Sequence, residues 1–99
     1  VCGATQVKDL SLDGIDVVNS AIIQGVLTRD GEAVAGGYVR LLDAGGEFTA
    51  EVVTSATGAF RFFARPGTWT VRALAAGTSG QTEVVADLGL VADASLAVD

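Results

Sequence analysis

The chain has 99 residues, enough for one domain of roughly 100 residues around a single core. Its net charge of −6 repels phosphate backbones and anionic lipid surfaces, so nucleic acid and membranes are set aside as partners. With no histidine and one cysteine, it cannot build Ser-His-Asp or Cys-His nucleophiles, His-containing zinc sites or Cys-ligated clusters within one chain. No apolar run approaches the ~20 residues that span a bilayer. A lone cysteine and the lack of a basic segment followed by an apolar one lead to the expectation of a cytoplasmic protein without a signal peptide.

Taken in order, residues 1–20 read as a loose N-terminal arm. Asp9, Asp13 and Asp16 alternate there with Leu10, Leu12, Ile15 and Val17. A short edge strand is predicted over Ile15–Val18. Residues 21–99 read as a single β domain. In Ala21–Thr28, Ile23, Gly25 and Leu27 share one face, the period of a half-buried strand. Gly25 inside that strand points to close backbone approach or a bulge. Arg29–Glu32 is a turn around Gly31. Tyr38–Asp43 puts Val39 and Leu41 on one face and Tyr38, Arg40 and Leu42 on the other. Ala44-Gly45-Gly46 turns the chain into Phe48–Ser55, rich in β-branched residues. After Thr57-Gly58 comes Ala59–Ala64, with Phe60 and Phe62 opposed to Arg61 and Phe63. Pro66-Gly67 punctuates the entry to Trp69–Ala75. Gly77–Gly80 is read as a flexible turn, followed by weaker strands over Gln81–Ala86 and about Leu90–Val98. Seven short strands, with turns every 8–12 residues and no capped amphipathic stripe at helical spacing, predict an all-β sandwich.

An ordered set of motifs narrows this further. Ile23-x-Gly25-x-Leu27, Gly31, Val34-x-Gly36-Gly37-x-Val39-x-Leu41, Thr54, Gly58-x-Phe60-x-Phe62 and Pro66-Gly67-x-Trp69-x-Val71 follow one another. The set resembles the carboxypeptidase regulatory-like, or transthyretin-like, domain, which implies a seven-stranded Greek-key sandwich. Ala33 and Ala35 stand where that pattern often has proline, and Trp69 where it usually has tyrosine. Cys2, the run VRLLDAGGEFTAEVV and the run TGAFRFFARPGTWTVRALAAG also resemble a family of small actinobacterial proteins of unknown function. The resemblance implies genes often placed beside a thiosulfate sulfurtransferase of the rhodanese type. Fold similarity alone transfers no activity.

Few residues carry chemistry. Phe60, Phe62 and Trp69 are expected in the core. Tyr38, Leu42 and Phe63 point away from their core neighbours, and Arg40, Arg61 and Arg72 are expected on that same outer side. Exposed aromatics with arginine have the composition of protein interfaces. Two readings stay open: Tyr38, Arg40, Leu42, Arg61 and Phe63 form an interface, or a neighbouring strand or the arm covers them. Cys2 is the one side chain suited to covalent sulfur chemistry, as a persulfide acceptor; the alternative is an inert thiol. The three aspartates of the arm lack EF-hand spacing and are read as solvated, with no metal expected. No cofactor is expected.

The resulting expectation is a non-enzymatic binding or scaffold module, accessory to a thiosulfate sulfurtransferase or self-associating. The alternatives are a sulfur-relay protein carrying a persulfide on Cys2 and a passive structural module of the cell surface.

Overall fold

A stretch with apolar residues at every second position has one face to bury and pairs with neighbours to do so. The computed structural model describes Leu12, residues 14–75 and residues 77–98. Among them nine strands form: β1 (Ala21–Arg29), β2 (Glu32–Ala33), β3 (Tyr38–Leu42), β4 (Phe48–Val53), β5 (Ala59–Ala64), β6 (Gly67–Ala75), β7 (Thr78–Ala86), β8 (Val91–Asp93) and β9 (Leu96–Val98).

The hub of the first sheet is β1. Antiparallel β5 pairs along one edge, from Ala21↔Ala64 to Val26↔Ala59. Antiparallel β2 prolongs that edge through Thr28↔Ala33. Leu27 marks the junction: its N–H donates to the Gly58 carbonyl at 2.8 Å, and its carbonyl accepts from Val34 N–H at 2.9 Å. The other edge takes β8 and β9, both parallel to β1. The second sheet is antiparallel throughout, in the order β4-β3-β6-β7.

The inner faces of the two sheets meet in one core. The first contributes Ala21, Ile23, Leu27, Phe60, Phe62, Leu96 and Val98. Val39, Leu41, Val52, Val71, Ala73 and Ala86 come from the second. The Phe60 and Phe62 rings lie 6.2 Å apart, tilted by 59°, within the range of favourable aromatic pairs. Trp69 is only half-buried, packed against the core from its rim. Its indole N–H donates to the Arg65 carbonyl at 2.8 Å. Thr54, fully buried, ties the chain after β2 to the end of β4. Its hydroxyl donates to the Val34 carbonyl and accepts from Gly37 N–H at 2.9 Å.

The all-β sandwich is therefore present, with four departures from the predicted elements, the last of them at Ile15–Val18. The turn at Arg29–Glu32 closes a hairpin and so adds β2; Asp30 and Gly31 both have positive φ, 53° and 81°, the requirement of a two-residue type I′ turn. The reversal after β6 is also tight, since Ala75 pairs with Thr78. Thr78, Ser79 and Gly80 therefore belong to β7 rather than to a flexible turn. The predicted last strand is two, interrupted over Gly25. A Cβ on Gly25 would lie 2.5 Å from Ser95 N, so the chain between β8 and β9 passes where a side chain would stand. Ser95 repairs the ladder: its hydroxyl accepts from Val26 N–H at 3.0 Å and donates to Asp93 at 2.7 Å. Seven expected strands thus become nine.

Ile15–Val18 is not a strand. The Asp16 carboxylate accepts from the Asn19 side-chain amide at 2.8 Å, and Ser20 N–H donates to the Val17 carbonyl at 3.2 Å, so the chain turns there. Among the described residues no helix is long and apolar enough to cross a membrane.

Candidate functional site

Registered strands place paired residues on the same face, so the outer surface of the second sheet can be read row by row. One row runs Val53, Tyr38, Leu74, Ser79 across β4, β3, β6 and β7. The next runs Glu51, Arg40, Arg72, Gln81, and the third Phe48, Leu42, Thr70, Glu83. Thr68 and Val85 continue the face beyond β3. A polar row is thus flanked by two rows that carry apolar side chains. Tyr38, Phe48 and Val85 are 52%, 62% and 61% exposed. Arg40 donates to Glu51 at 2.7 Å in an exposed ion pair. Arg72, directly across from Arg40, has no ion pair among the described residues.

Of the five candidate interface residues, Tyr38, Arg40 and Leu42 come together on this face. Arg61 and Phe63 do not join them: both are on β5, on the outer surface of the other sheet. Arg61 donates to the Gln24 side chain at 2.8 Å. Phe63 is 62% exposed beside Ile22, its register partner, which is completely buried. Tyr38 borders an open cleft of about 540 Å³ at one end of the sandwich, with Arg29, Gly37 and Ser79. Phe63 borders another of about 420 Å³, with Leu41 and Trp69.

Phe48 and Val85 belong to the open face, although alternation alone does not single them out. Val52 and Ala50 point inward, so strict alternation would send Phe48 inward as well. A register shift between Leu41 and Leu42 pairs Leu42 with Phe48 and skips Thr49, which turns Phe48 outward. Its signal is the bulge, which sequence periodicity does not report. Val85 could have been found from Val84-Val85, two adjacent apolar residues on one strand, of which only one can face the core.

Cys2, Asp9 and Asp13 lie outside the described residues. Among the described residues there is no group of three or more His, Cys, Asp or Glu side chains placed to hold a metal ion.

Fold and surface together define a class: a small two-sheet β-sandwich with a mixed apolar and charged outer face. Within that class the chain belongs to the family described as "Protein of unknown function (DUF1416)", whose profile matches residues 2–98. It is 57% identical over 72 residues to an "Uncharacterized protein" of Mycolicibacterium smegmatis (strain ATCC 700084 / mc(2)155), covering 72% of this chain and 80% of that one. It is 56% identical over 71 residues to "Uncharacterized protein Rv0814c" and "Uncharacterized protein Rv3118" of Mycobacterium tuberculosis (strain ATCC 25618 / H37Rv), covering 71% of each chain.

Solved structures of similar fold include catechol 1,2-dioxygenase from Pseudomonas arvilla C-1, with a TM-score of 0.55 at 16% identity. That match covers 89% of this chain and 46% of the enzyme, so the chain spans about half of it. The dioxygenase domain of a dioxygenase carbohydrate-binding protein fusion from Streptomyces sp. SirexAA-E gives 0.54 at 13% identity, over 91% and 85%. At such identities the likeness concerns fold and not chemistry.

Proposed function

We propose that this chain is a non-enzymatic binding module that docks a protein partner through the outer face of its four-stranded sheet. The observation behind this reading is the grouping of Tyr38, Phe48, Leu42 and Leu74 around Arg40 and Arg72 on one side of one sheet. Aromatic and arginine side chains on a shared surface match the composition of interface centres. The resemblance to carboxypeptidase regulatory-like domains fits an accessory role. The partner to try first is the rhodanese-type thiosulfate sulfurtransferase that the narrower resemblance implies.

The test is retention of that purified sulfurtransferase on the immobilised full chain. Wild type should retain it, and Tyr38→Ser combined with Phe48→Ser should release it while leaving the melting temperature in place. Equal retention by wild type and variant would contradict docking through this face. Sulfur relay through Cys2 rests on the sequence alone. It requires a gain of one sulfur in the mass of Cys2 after incubation with the thiosulfate-loaded enzyme.

A further inference from the structure

The charges of the open face set what it can accept. Arg40 and Arg72 are cross-strand partners, an arrangement that is repulsive unless each finds a counter-charge. Arg40 finds Glu51 on its other side. In the same row Arg72 has only Arg40 and the neutral Gln81 as neighbours, and Glu83, diagonal to it on β7, makes no ion pair with it. Arg72 is exposed and makes no ion pair among the described residues. In a chain of net charge −6, the middle of this face thus holds a guanidinium ready to accept a carboxylate from outside.

Geometry sets what flanks that carboxylate. Successive rows are two residues apart along each strand, about 6.6 Å, and the two apolar rows are therefore about 13 Å apart. An extended chain laid along the face presents every second side chain at that same spacing. Its residue i would meet Tyr38 and Leu74, residue i+2 would meet Arg72, and residue i+4 would meet Leu42 and Phe48.

From this we infer that the face binds an extended segment of another protein with the pattern apolar–x–Asp/Glu–x–apolar. The inference rests on the binding-module reading and specifies its partner. Residues 1–98 do not supply the segment themselves: none of the eleven acidic residues from Asp9 to Asp93 has an apolar residue both two before and two after it. Two copies, each at −6, also repel one another at long range. Edge-on pairing with β4 calls for a different sequence, because the position beside Glu51 would favour a basic residue.

The experiment is selection of a random peptide library on the immobilised full chain, repeated on Arg72→Glu and Tyr38→Ser. Wild type should enrich apolar–x–acidic–x–apolar peptides. Arg72→Glu should turn the central preference to Lys or Arg, and Tyr38→Ser should lose the enrichment. Arg72→Gln, which removes only the charge, should weaken a selected peptide about tenfold, the loss expected for a charge-assisted hydrogen bond. A basic or unselective centre, helical spacing of the anchors, undiminished binding by Arg72→Glu, or no enriched peptide at all would overturn the inference. In each of those cases sulfurtransferase retention that is lost on Tyr38→Ser with Phe48→Ser would still leave the binding-module reading standing.

Discussion

The two outer faces of this sandwich are built from similar residues and come out differently. On the first sheet, Ile22 is fully buried and Arg61 is bonded to Gln24, which leaves Phe63, as exposed as Phe48, beside side chains that are already covered or partnered. On the second sheet Tyr38, Phe48 and Val85 are mostly exposed, and the charged row includes an arginine without a described ion-pair partner. Aromatic and arginine content alone therefore does not mark a docking face. What distinguishes the open face is that several exposed apolar side chains are grouped around an arginine without a described ion-pair partner.

Substitutions can sharpen this contrast. The largest effect is expected at Ile22→Ala, on the closed face. Removing a completely buried isoleucine should cost about 3 kcal/mol, a fall in midpoint of roughly 12–24 °C in a thermal melt. A loss below about 1 kcal/mol would mean that this face is as open as the other. Next comes Arg61→Ala, which strips the half-buried Gln24 of its partner; denaturant titration should show a loss of about 1 kcal/mol. On the open face, Tyr38→Ser and Phe48→Ser should each stay within about 0.5 kcal/mol of wild type by the same titration, as surface changes do. Smallest of all is Arg40→Gln. Its exposed pair with Glu51 should contribute about 0.5 kcal/mol or less, and that difference should vanish in roughly 1 M salt.

Much of the fold was legible in the sequence because alternation and glycine turns are local. They bound Ala59–Ala64 as observed, and the early strands to within one or two residues. Gly25 inside a strand reads as close backbone approach or a bulge, and the first holds: the backbone at Ser95 sits where its Cβ would be. The parts that escaped depend on distant chain. Nothing in the composition of Leu90–Val98 says that Gly25 lets the strand break over it. Gly77–Gly80 reads as four flexible residues until pairing with β6 draws three of them into β7.

The candidate surface was half legible for the same reason. Alternation placed Tyr38, Arg40 and Leu42 outward, as well as Arg61 and Phe63. It could not say that a two-sheet protein has two outsides, nor which residues share one. That requires the register of β3 with β4 and β6, and the register shift opposite Leu42 that brings in Phe48.

The central claim is that only one of the two faces docks a partner. It is tested most directly by measuring the affinity of the sulfurtransferase for three full-length proteins in parallel: wild type, Tyr38→Ser with Phe48→Ser, and Phe63→Ser. Loss of binding by the first variant, with Phe63→Ser matching wild type, is the predicted result. Loss by Phe63→Ser, with the Tyr38 and Phe48 variant binding as wild type does, would contradict the claim and move the docking site to the other sheet.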